Sequence, residues 1–109
     1  MKTLKFVARL APLILSGEKT TTWRLFDDKN LQKNDQLQFI ITESGEKFAQ
    51  AEITNIYEKK LSEVRDVDYN GHEKYTNHKE MLDTFTKFYG PQVNKDTIVK
   101  IIHFKITSK

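Results

Sequence analysis

Residues 17–24, Gly17-Glu18-Lys19-Thr20-Thr21-Thr22-Trp23-Arg24, bring a glycine turn, a lysine, three hydroxyls, an indole and an arginine into eight positions. A hydroxyl beside a lysine and an arginine suits acyl transfer or the binding of a phosphate. A threonine Oγ is a weak nucleophile and needs a base, which a lysine can be only when its pKa falls. A neighbouring Arg24 and partial burial both push in that direction. On a strand, Thr20, Thr22 and Arg24 project to one face and Thr21 and Trp23 to the other. The same residues also describe a β-rich strand of a small barrel, with surface threonines and a basic pair.

The flanking sequence supplies the elements that would position this segment. Residues 3–8 alternate, with Leu4 and Phe6 on one face, and read as a strand. Leu10, Leu13 and Ile14 have helical spacing; Pro12 is tolerated in a first turn and Gly17 is a natural C-cap. Residues 20–25 are β-rich, and 27–34 form a polar loop in which the Asp27-Asp28 pair reads as solvated. Leu37, Phe39 and Ile41 mark a third strand, and residues 43–46 a hairpin turn into a fourth over 47–57. A helical turn at 61–64 and a long acidic loop at 65–76 follow; loops of that length are often functional.

Asn77-His78-Lys79-Glu80 has capping-box spacing and opens a helix whose apolar stripe is Met81, Leu82, Phe85, Phe88 and Tyr89, closed by Gly90-Pro91. These aromatics read as core. Residues 96–107 form a last strand, with Ile98, Ile102, Phe104 and Ile106 on one face and His103 as barrel filler. The order β-α-β-β-β-α-β predicts a single α+β domain over residues 1–109. A β-barrel of about five to six strands, flanked by two or three short helices, satisfies the need to protect strand edges.

Composition bounds the function. The 109 residues carry 38% apolar and 30% charged side chains, an ordinary folded mix. With no cysteine, a disulfide framework, a thiolate metal site and a Cys nucleophile are excluded. No apolar run approaches the roughly 18 residues of a membrane span; the expectation is a cytoplasmic protein that does not engage a membrane. The net charge of +3 is uneven: the first 24 residues hold five basic side chains and one acid. That local field around Lys2, Lys5, Arg9, Lys19 and Arg24 favours anionic partners.

The spacing of Gly17, Lys19 and Arg24, G-x-K-x-x-x-x-R, resembles the signature of the activating signal cointegrator homology (ASCH) domain, whose fold is similar to the PUA domain of RNA-modifying enzymes. Lys33-Asn34-Asp35-Gln36-Leu37 resembles the family's G-D-x-L entry to the next strand, with Asn34 where glycine is usual. Asparagine is the non-glycine residue best able to adopt positive φ, so the turn is expected to survive. The likeness continues through the aromatic helix and the last strand. Within the family the chain is similar to the bacterial N4-acetylcytidine amidohydrolases. That resemblance implies Thr22 as nucleophile, Lys19 as general base and Glu73 as the group that orients or protonates.

It further implies a modified nucleoside or RNA as partner, with no cofactor and no metal. Arg24 would hold substrate or developing charge. Thr20, Trp23 and Tyr75 would complete the binding surface, the two aromatics stacking on a nucleobase. His72 and His78 lack metal-ligand spacing and a third ligand. Two alternatives use the same residues. One is a non-catalytic RNA-binding module in which Lys19 and Arg24 contact phosphate; the other is a ribonuclease that redeploys Lys19, Arg24 and Glu73.

Overall fold

The computed structural model describes residues 1–72 and 74–109. β1 (Lys2–Phe6) runs into a 3-10 turn (Ala8–Leu10) and α1 (Ala11–Ser16), followed by β2 (Thr21–Leu25), β3 (Gln36–Ile41) and β4 (Lys47–Lys60). Two 3-10 turns (Leu61–Glu63 and Asp66–Tyr69) lead to α2 (His78–Tyr89), and β5 (Ile98–Ser108) ends the fold. This is the element order expected from the sequence. β4 extends three residues further than expected, and the 65–76 loop contains a 3-10 turn.

The five strands form one curled sheet in the order β1-β3-β4-β5-β2, a half-barrel with β1 and β2 at its edges. β1 pairs parallel to β3, and the other ladders are antiparallel. Register shifts interrupt the β4 ladders near Phe39/Ile40 and Ile53/Asn55; such bulges bend strands and let a sheet curl.

Two cores lie on the two faces. Inside the curl, Leu4, Phe6, Ile14, Leu37, Phe39, Ile53, Ile102 and Phe104 pack together. On the α2 side, Trp23, Leu25, Leu61, Met81, Phe85, Val99 and Ile101 make a second cluster. β2 and β5 therefore bury both faces. Cross-strand partners share a face: Trp23 opposite Ile101 and Leu25 opposite Val99 look toward α2, while Thr22 opposite Ile102 looks inward. On the second face of β5, Val99 and Ile101 are fully buried, whereas Ile98, grouped by period with the inward residues, is exposed at the strand's start.

Local signals act largely as their chemistry requires. Gly17 caps α1 in the left-handed conformation, φ 86°. Asn34 takes φ 74° and donates its N–H to Ile53 O at 2.8 Å, so the turn survives without glycine. The Asn77 side chain accepts the Glu80 N–H at 2.9 Å. Glu80 reaches back one residue further than a capping box requires, accepting from Thr76 N at 3.3 Å.

Buried carboxylates fasten the loops. Asp27 is no solvated residue: its side chain, 4% exposed, pairs with Lys100 Nζ at 2.7 Å and accepts the N–H groups of Lys29 and Leu31. Its neighbour Asp28 is 87% exposed, as expected. Asp68, among the most buried side chains, accepts from Tyr57 Oη (2.8 Å), Lys59 Nζ (2.9 Å) and Arg65 N (2.8 Å). Burial opposes its ionisation, but these three donors outweigh that and hold its carboxyl below the ordinary carboxylate range. Burial, and then Asp68 itself, push the Tyr57 hydroxyl up to about 12, so it stays a donor.

Asp68→Asn is expected to destabilise the fold by about 3 kcal/mol in urea unfolding, because it strips the charge that three donors converge on. Since the folded-state pKa of Asp68 is depressed, its stabilisation is complete above about pH 4 and is lost as pH falls through the depressed value. The substituted protein should accordingly lack that part of the wild-type acid sensitivity.

Candidate active site

β2 is an edge strand, so residues from both of its faces reach the space beside its free edge. A cleft of about 670 Å³ opens there. β2 contributes Thr22, Trp23 and Arg24 to its wall, and the loop before β2 contributes Lys19. Lys5, Phe6, Arg9 and Thr42 line it on the β1 side, and His72, Lys74, Tyr75, Glu80, Phe85, Phe88 and Tyr89 on the α2 side.

Lys19 is 4% exposed and Thr22 5%, so both stand in the floor rather than on the surface. Lys19 is fixed at its backbone by an N–H to Leu13 O bond of 3.0 Å, just past the Gly17 cap that turns the chain from α1 into β2. The Thr22 Oγ accepts from Arg24 Nε at 3.3 Å. A guanidinium donating to the oxygen leaves the hydroxyl proton directed elsewhere and favours negative charge on Oγ.

Arg24 itself is committed to the fold. Its Nη2 donates to Lys5 O at 2.8 Å, across the gap between β2 and β1, and its guanidinium lies 4.8 Å from the centre of the Phe6 ring. Burial lowers its pKa, while the nearby Tyr89 raises it. Arg24 also lines a second cavity of about 260 Å³, together with Tyr89, Phe26 and Asp28. Arg24 thus lines the cleft, as expected of a substrate ligand, and also bridges the barrel seam and donates to Thr22.

The structure gathers Lys19, Thr22, Trp23, Arg24 and Tyr75 at one cleft. Thr20 does not line it: it precedes β2, its N–H donates to Gly71 O at 2.8 Å and its carbonyl accepts from Phe104 N at 3.1 Å. Glu73 lies outside the described residues. Trp23 is no open stacking platform. It is 4% exposed and packs against His72 (4.3 Å, interplanar angle 20°), Tyr69 and Phe85. Its indole Nε1 is buried with no hydrogen-bond partner among the described residues.

The exposed aromatic of the cleft is Phe88, 64% exposed, which the helical period assigns to the core. Its angular position on α2 matches that of buried Met81, yet Phe88 lines the cleft. Period identifies a face, not what covers it. His103 is half-buried and stacks on Tyr57 at 5.9 Å. Among the described residues no group of three or more His, Cys, Asp or Glu is arranged to hold a metal ion, and no helix is long and apolar enough to cross a membrane.

The model of the ASCH domain matches residues 2–108. The chain belongs to the ASCH domain family. Among curated proteins none matches its sequence. Its fold is similar to the solved structure of the EF3133 protein of Enterococcus faecalis V583, with TM-score 0.81 and 17% identity over 99% of this chain and 81% of that one. It is likewise similar to an ASCH domain of Lactobacillus crispatus JV V101, with TM-score 0.75 and 19% identity over 99% and 80%. The ASCH protein of Zymomonas mobilis is more distant, with TM-score 0.68 and 10% identity over 94% and 65%. These likenesses establish the half-barrel as an ASCH, PUA-like fold.

Arg24→Met should preserve the volume of the aliphatic stem while removing both hydrogen bonds and the contact with Phe6. The expected cost is about 2 kcal/mol in chemical unfolding. Hydrogen exchange should quicken at the seam-facing amides of β1 and β2 more than in the β4–β5 ladder.

Proposed function

We propose that this ASCH domain acts on a nucleoside or RNA base and hydrolyses the N4-acyl amide of cytidine. The observation that carries the reading is the Arg24 Nε to Thr22 Oγ hydrogen bond in the floor of a cleft that Lys19 also lines. In this reading Thr22 Oγ attacks the acyl carbon and Lys19 Nζ takes the hydroxyl proton. The C–N bond then breaks, the proton passes to N4, and cytidine leaves with its free amine. Water hydrolyses the acyl-threonine to acetate and restores the hydroxyl. The resemblance assigns the orienting or protonating role to Glu73.

A binding-only reading, in which the cleft holds an unpaired RNA base without turnover, is supported by the exposure of Phe88 at its mouth. Aromatic rings in that position stack on bases of any sequence.

Chromatography of N4-acetylcytidine incubated with the protein separates the two. The amidohydrolase reading expects cytidine and acetate, with turnover reduced at least about 100-fold in both Lys19→Ala and Thr22→Ala, and folding retained. Thr22→Ser should keep measurable activity because it retains the hydroxyl. Absence of product from the wild-type protein, together with salt-sensitive affinity for single-stranded RNA, would favour binding alone.

A further inference from the structure

The mouth of the cleft carries positive charge that the proposed chemistry does not use. Lys5 on β1, Arg9 in the 3-10 turn after it, and Lys74 before α2 all line the same opening. All three are exposed. Among the described residues none of the three forms an ion pair, although Lys2, Lys59, Lys79 and Lys100 elsewhere each have a carboxylate partner. Glu80, the one acid among the described lining residues, turns an oxygen to the Thr76 N–H.

Three cations, two from the start of the chain and one from the segment before α2, raise the local potential at one cavity mouth, where they concentrate anions. Arg24, expected with Lys19 to contact phosphate in the binding-only reading, already donates to Lys5 O and Thr22 Oγ. Lys5, Arg9 and Lys74 are the exposed cations among the described lining residues, and they stand at the rim. Phe88, exposed on the same opening, adds an apolar face of the size a base or ribose covers.

We infer that the ligand of this cleft carries a phosphate, held by Lys5, Arg9 and Lys74, so that a nucleotide is preferred over the neutral nucleoside. The inference rests on the nucleoside-directed reading above and narrows its substrate class. The phosphate comes either from a free 5′-nucleotide or from an RNA backbone, and the chemistry of recognition is the same.

Binding separates these sources without depending on catalysis. Cytidine, cytidine 5′-monophosphate and a short single-stranded oligocytidylate are titrated against the wild-type protein, followed by the fluorescence of Trp23, the chain's one tryptophan. The monophosphate is expected to bind about tenfold tighter than cytidine at low salt, the size of one or two charge-assisted hydrogen bonds. The advantage should shrink as salt screens the exposed charges and vanish in Lys5→Gln/Arg9→Gln/Lys74→Gln. Arg9→Glu serves as a single-site check, and Lys47→Gln, remote from the cleft at the start of β4, should behave as wild type.

A further gain with the oligonucleotide identifies RNA as the source, and equal affinity identifies the free nucleotide. Equal affinity for cytidine and its monophosphate, a phosphate advantage that survives the triple substitution, or no binding of any of the three overturns the inference. Failure to release acetate from N4-acetylcytidine, with phosphate-dependent binding intact, would count against amide hydrolysis alone.

Discussion

A single arginine side chain laid across a gap holds the barrel seam together. A five-stranded sheet that curls without closing leaves two edges of unpaired backbone groups, and such edges must be covered or they recruit other strands. Here the edges are β1 and β2, and the Arg24 guanidinium joins them, donating to Lys5 O and lying against Phe6. A planar guanidinium with five donors can hold a carbonyl and a hydroxyl at once while presenting its face to an aromatic ring. A lysine ammonium has neither the fork nor the plane.

The same seam makes the cleft. Because β2 ends the sheet, the inward Thr22 and the outward Trp23 both reach the space beside it, and the loop carrying Lys19 meets them there. The two cores hold this geometry from either side. The curl buries Ile14, Ile102 and Phe6 behind the strand, and α2 presses Met81 and Phe85 against Trp23 and Leu25. Asp27 and Asp68 fasten the loops that flank the strand, each with a lysine and backbone N–H donors. Their burial is tolerable only because those partners are complete.

Much of the fold is legible in the chain because its signals are local. Gly17 past an apolar helical turn, Asn77 three residues before Glu80, and alternation in 36–41 each act over a few residues and need no distant partner. Asn34 shows how far that extends: a turn that favours glycine is recognisable through a substitution, and its φ of 74° agrees. Where expectation and structure part, the opposite property is at work. Phe88 obeys the helical period yet stands exposed at the cleft. Asp27 reads as solvated because its partner Lys100 stands 73 residues away. Ile98 shares the period of the inward Ile102 and Phe104 yet is exposed, because it stands at the very start of β5.

The order and type of the elements, the ASCH motif, and the hydroxyl and lysine close enough along the chain to share a site are all written in the linear order of residues. They follow from backbone stereochemistry and from spacing on a single strand. What each charged group does is settled only by folding. Which cations are tied to carbonyls or carboxylates and which face an open cleft depends on partners met in space: Arg24 meets a carbonyl 19 residues away, and Lys100 a carboxylate 73 residues away. Electrostatic roles are set by neighbours in space and by the water removed from between them, and neither is encoded in the spacing of a chain.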